Sequence, residues 1–166
     1  MPTVIAFTAP SGTGKTTLLT ALLPRLRRAG LRVGAVKHSH HRVEWDRPGK
    51  DSHRLREAGA EEVLLAAGGR WALFAEPPEP PPFADLLTRL HPALDLVLVE
   101  GFGDEPLPRI RLYRRGVGPL PEWDDPGLVA VASDVPLASP VPCLDLNDPG
   151  AIARFILEYH RKESPP

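Results

Sequence analysis

An α/β fold, a mostly parallel sheet flanked by helices, is predicted for this 166-residue chain by three observations. Short β-favouring apolar runs alternate with segments of helical periodicity. One run, LDLVLV at Leu94–Val99, is apolar almost throughout, as a strand covered on both faces must be. A Gly-rich turn joins the first strand to the first helix, the connection that α/β proteins use for anions.

Taken in order, Thr3–Thr8 is the first strand. A helix follows from Lys15 to about Ala29, with Leu18, Leu19, Leu22, Leu23 and Leu26 on one face and Gly30 where a left-handed cap is wanted. Pro24 breaks the pattern, since it removes a donor inside the helix and is expected to kink it. Leu31–Val36 is the next strand. A polar loop spans Lys37–Lys50, and a short helix capped by Asp51 is stopped by Gly59. Glu62–Ala67 and Trp71–Ala75, separated by Gly68 and Gly69, carry a hairpin signal. The stretch from Glu76 to Pro82 (EPPEPPP) is a stiff surface connector. Phe83–Leu90 is helical, and Leu94–Val99, Arg109–Arg115, Leu128–Ala132 and Val141–Leu146 are strands. Asp148 then caps a last helix that has Pro149 at its first position and runs to about His160. The length favours one domain over residues 1–166.

Composition removes several classes of function. Twenty Lys and Arg against 21 Asp and Glu leave a net charge of −1, which argues against a dedicated nucleic-acid binder. No apolar run reaches membrane-helix length, and the N-terminus has no basic-then-apolar leader. Cys143 is the sole cysteine, so no intrachain disulfide forms; together these features fit a soluble cytoplasmic protein. Only four of the 20 cations are lysines, Lys15, Lys37, Lys50 and Lys162, and three of them fall in the motifs below. That usage suggests sites where a point charge is required rather than the guanidinium fork.

The first strand–helix junction reads Ala9-Pro-Ser-Gly-Thr-Gly14-Lys15-Thr16, the phosphate-loop pattern G-x-x-x-x-G-K-[ST] with Ala9 in place of the first glycine. Gly12 and Gly14 allow the backbone conformations that turn successive N–H groups inward to phosphate. The helix start adds its positive dipole end, Lys15 a charge for the β and γ phosphates, and Thr16 a hydroxyl for Mg²⁺. The fold is therefore read as P-loop NTPase-like. Glu100, closing the apolar run as Leu-Val-Glu-Gly, is the carboxylate that could hold Mg²⁺ with Thr16, and Gly101 is read as room for a ligand.

A second constellation is Lys37-His38-Ser-His40-His41, followed by Lys50, Asp51 and Arg54. Its histidines could ligate nickel or zinc. With no cysteine and no second pair of ligands nearby, the pattern favours instead an anion or substrate loop of Lys37, His38, His41, Lys50, Asp51 and Arg54, with a simply solvated segment as the remaining reading. Asp134, following the strand Leu128–Ala132, is a candidate reader of guanine, whose N1–H and N2–H one carboxylate can accept; a turn-forming role is the alternative.

Together, SGTGKTTLL, GAVKHSHH, PGKDSHRLREAGA, LDLVLVEGF and AVASDVPL resemble the MobB family of molybdopterin-guanine dinucleotide biosynthesis, over about Val4–Leu157. The resemblance implies an eight-stranded type of α/β fold, a homodimer and GTP as ligand. It also implies a partner, the MobA-type nucleotidyltransferase that joins molybdopterin to GMP, with direct contact to molybdopterin left open. The family's phosphate loop falls on Ser11, Gly12, Thr13, Gly14, Lys15, Thr16 and Thr17, and its acidic strand end on Glu100. Lys15 and Glu100 are then the residues for a slow Mg²⁺-dependent GTP hydrolysis, because no arginine finger or water-orienting glutamine is evident in the sequence. A small-molecule kinase and a nickel or zinc metallochaperone GTPase are the alternatives.

Overall fold

A computed structural model describes residues 1–39 and 46–164. Two compact units are formed, one from Met1–His38 with Leu87–Pro166 and the other from Ser39–Leu86.

The larger unit is built on a six-stranded sheet. Its strands are β1 (Thr3–Thr8), β2 (Val33–Lys37), β5 (Leu96–Glu100), β6 (Arg109–Tyr113), β7 (Leu128–Ser133) and β8 (Cys143–Asp145). They lie in the order β2-β5-β1-β6-β7-β8, and every pairing is parallel. β5 is buried at all five positions, which explains its unbroken apolar run. β1 is buried at five of its six positions and β6 alternates; Ile5 and Phe7, Leu96 and Leu98, and Ile110 and Leu112 meet in one core with Leu18, Leu22 and Leu26 of α1 (Lys15–Arg28) and Ile152 and Ile156 of α4 (Pro149–Glu163). Asp148 caps α4 as expected, its Oδ1 accepting from the backbone N–H groups of Gly150 and Ala151.

Two local expectations need correction. α1 is continuous through Pro24. Pro24 and Thr20, whose carbonyl loses its usual donor, both lie on the exposed face, where that carbonyl is open to solvent. In the smaller unit, Asp51 is the first residue of α2 (Asp51–Glu57), not its cap; Lys50 occupies the cap with no side-chain bond to the helix. Asp51 then acts through charge, an anion in the first turn of the helix. Gly59, at φ 104°, does end that helical segment.

β3 (Glu62–Ala67) and β4 (Arg70–Ala75) form an antiparallel hairpin with Ala67 opposite Arg70, so the loop is Gly68-Gly69, both at positive φ. That is the backbone a two-residue hairpin turn demands. Leu64, Leu65, Trp71 and Leu73 of the hairpin are exposed. Arg56 of α2 pairs with Asp46 and Glu76 and stacks over the Phe74 ring. α3 (Phe83–Thr88) is shorter than its sequence pattern.

Candidate functional site

The carboxyl ends of β1, β2 and β5 meet at one edge of the sheet. From β1 the chain enters the loop 9–14, where Gly12 (φ 82°) and Gly14 (φ 102°) adopt the left-handed backbone expected of an anion nest. Ala9 has no positive φ, so a methyl group there is harmless; the loop uses only its carbonyl. Thr13 is buried and turned inward, its hydroxyl donating to Pro10 O at 2.9 Å. Ser11, Thr16 and Thr17 are exposed. The Lys15 ammonium donates to Ala9 O at 2.7 Å and Pro10 O at 3.1 Å, folded back along its own loop. Burial lowers the Lys15 pKa; Glu100 opposes that shift, while Lys37 and Arg111 add to it.

Thr16 and Glu100 are brought together across 84 residues of sequence, the Thr16 hydroxyl donating to Glu100 Oε2 at 2.9 Å, with Oε1 at 3.2 Å. A hydroxyl and a buried carboxylate beside an anion nest are the hard-oxygen donors that Mg²⁺ prefers, so the residues present fit a phosphate and a divalent cation together. Lys37 joins them: register places it opposite Glu100, and its Nζ lies 2.7 Å from Glu100 Oε1. The space at Gly101 (φ 98°) is taken by the chain itself, since a Cβ there would stand 2.8 Å from His38 Cβ. It is therefore not room for a ligand. The His38 ring packs on Phe102, with centroids 4.7 Å apart.

Two arginines at the end of the strand expected over Arg109–Arg115 had no site role in the sequence pattern. Arg114, just past β6, donates from Nε to Thr13 O at 3.2 Å, and its neighbour Arg115 donates its backbone N–H to Asp134 Oδ1 at 2.9 Å. One two-residue segment thus ties the phosphate-type loop to Asp134. The alternating pattern of β6 held the clue, because any residue following that strand reaches the same edge as the loop. Asp134 lines a cleft of about 400 Å³ with Val135, Leu137, Leu144, Asp145 and Asn147. The turn that places it is pinned by the Ser133 hydroxyl, which donates to Val135 O at 2.6 Å. With strands about 4.8 Å apart, β7 stands roughly 10 Å from β1, within the length of one extended nucleotide.

Lys50, Asp51 and Arg54 belong to the smaller unit, at the cap and first turns of α2. His40 and His41 lie outside the described residues. Among the described residues, no group of three or more His, Cys, Asp or Glu side chains is arranged to hold a metal ion. None of their helices is long and apolar enough to cross a membrane.

Comparison with known proteins identifies the family and the fold. The chain is 46% identical, over 97% of its length and 95% of the relative's, to the molybdopterin-guanine dinucleotide biosynthesis adapter protein of Escherichia coli K12. It is 45% identical to the adapter protein of the same name from Haemophilus influenzae, over 92% of this chain and 86% of that one. A crystal structure of molybdopterin-guanine biosynthesis protein B superposes with a TM-score of 0.73 at 25% identity, covering 96% of this chain and 99% of the other. Residues 4–134 match the model of the family described as MobB, molybdopterin guanine dinucleotide synthesis protein B, and the chain belongs to that family.

Proposed function

We propose that this protein is a GTP-binding adapter of molybdopterin-guanine dinucleotide formation in the cytoplasm. The carrying observation is the meeting of Thr16 and Glu100 at the mouth of the Gly12–Gly14 nest, which joins a phosphate cradle to a divalent-cation donor pair. Ser11, Gly12, Thr13, Gly14, Lys15, Thr16 and Thr17 form the phosphate loop, and Lys15 leaves its two carbonyl partners for the β and γ phosphates. Thr16 and Glu100 would hold Mg²⁺, which when bound would supply positive charge to the phosphate oxygens. Asp134 reads the base from the β7–β8 cleft; guanine presents N1–H and N2–H side by side to one carboxylate, whereas adenine has no proton at N1. Names of relatives support the pathway, and the geometry supports the ligand class.

The chain contains no glutamine, so the water-orienting residue of faster GTPases is missing and slow hydrolysis follows. The partner is a MobA-type nucleotidyltransferase, with molybdopterin reaching the complex through it or directly. Homodimer formation is supported by the exposed apolar residues of the β3–β4 hairpin. Lys37, His38, His41, Lys50, Asp51 and Arg54 remain the candidates for anion or substrate contact.

Calorimetric titration with GTP in the presence of Mg²⁺ tests the reading. Lys15→Ala removes a charge-assisted contact worth about 1.5–3 kcal/mol, so affinity drops at least about tenfold while the melting temperature holds. Equal affinity in the variant overturns the assignment of the loop.

A further inference from the structure

Lys37 is the third member of a compact group with Glu100 and Thr16. Its ammonium lies 2.7 Å from Glu100 Oε1 and 3.5 Å from the Thr16 hydroxyl, so one cation already touches both proposed donors to the divalent ion. The Glu100 side chain is 12% exposed and that of Lys37 59% exposed. The carboxylate is thus a fixed wall, while the lysine reaches it from solvent on a flexible stem.

We propose that Lys37 is a positioning residue that exchanges partners, holding Glu100 in the metal-free protein and yielding it to the divalent ion when the nucleotide complex loads. The inference rests on the nucleotide reading above. The ammonium on Oε1 and the Thr16 hydroxyl on Oε2 between them occupy both oxygens of Glu100, and the ammonium also lies against the Thr16 hydroxyl, so a divalent ion that takes Glu100 and Thr16 together enters the space beside the ammonium and repels it. The freed charge then serves the terminal phosphate of the ligand.

Three features confine the exchange to the side chain. His38 donates its backbone N–H to Glu100 O at 2.8 Å, which locks the ends of β2 and β5 together. Gly101 presses against His38, where no Cβ fits. Phe102 carries a positive φ of 54°, the one such non-glycine residue among those described, with its ring on His38. A residue held in that region costs energy and persists only where its surroundings over-determine it. Residue choice points the same way. In a chain whose cations are mostly arginine, position 37 is lysine. A guanidinium would clasp the carboxylate bidentately and release it poorly, whereas an ammonium makes a single point contact.

Mn²⁺ binding, read from the paramagnetic resonance of the free ion, tests this on the full chain with a non-hydrolysable GTP analogue bound. Lys37→Met is expected to tighten Mn²⁺ binding about tenfold, the scale of one charged hydrogen bond removed from competition. The same variant is expected to lose preference for the triphosphate over GDP. Lys37→Arg is expected to weaken Mn²⁺ binding. In a Glu100→Gln background, Lys37→Met should have no effect on Mn²⁺. Unchanged or weaker Mn²⁺ affinity in Lys37→Met overturns the exchange, as does equal tightening in the Glu100→Gln background, which would signify general charge repulsion. If Lys37→Met does not fold, Lys37→Arg alone decides, tighter or unchanged binding overturning the proposal. If the wild-type protein binds no guanine nucleotide, the functional reading fails instead. Mn²⁺ titration of the nucleotide-free pair, wild type against Lys37→Met, still decides the exchange.

Discussion

The six-stranded unit and the β3–β4 hairpin are both β structures, yet they use apolar residues in opposite ways. β5 buries all five of its residues, and Leu22, Leu26, Ile152 and Ile156 of the covering helices are buried completely or nearly so. On the hairpin, Trp71 is 67% exposed and Leu64 62% exposed. A two-stranded ribbon has too little surface to bury its own side chains and is marginal alone in water. The contrast assigns different work to the two regions. The parallel sheet spends its apolar residues holding a polar edge in place, whereas the hairpin leaves several of its own exposed, the surface that the proposed homodimer would use.

The contrast can be broken at its strongest point. Leu22→Ala in α1 should destabilise the protein by about 2–5 kcal/mol, measured by urea unfolding, because a fully buried leucine leaves a cavity against the sheet. A loss below about 1 kcal/mol would mean that the α1 face is not the core of this unit.

A smaller effect sharpens the comparison of helices. α4 spans 15 residues with a side-chain cap from Asp148, whereas α2 spans 7 with none. Asp148→Ala should cost about 0.5–2 kcal/mol and lower the melting temperature by a few degrees. No change in melting would show that tertiary packing alone holds the start of α4.

The smallest stability effect falls on the hairpin. Leu64→Ser combined with Trp71→Ser should leave unfolding free energy within about 0.5 kcal/mol per site when measured at high dilution. The same pair should shift the mass seen by light scattering from dimer toward monomer. Destabilisation as large as that of Leu22→Ala would show that these side chains are covered within the chain's own fold.

Much of the architecture was legible in short windows of sequence. The leucine face of α1, the Gly68-Gly69 turn, the Asp148 cap and the Gly12–Gly14 nest each depend on residues a few positions apart, where periodicity and backbone sterics act directly. Misreadings arose where the environment overrides local rules. Pro24 is tolerated because its face meets water, and Lys50 displaces Asp51 at a helix start that no side chain caps. Gly101 makes room for His38 because β2 lies beside β5, a neighbour that no local pattern names.

The sequence by itself determined the α/β class, the phosphate-type loop and the strand-end carboxylate at Glu100. Tertiary structure alone decided that Thr16, Lys37 and Glu100 share one point, across separations of 84 and 63 residues, and that Arg114 braces Thr13 across 101. Those meetings follow from the strand order β2-β5-β1-β6, which places the ends of non-consecutive strands side by side. Strand order is set by how helices and strands bury their apolar faces together, a property of the whole packed chain that no local window encodes.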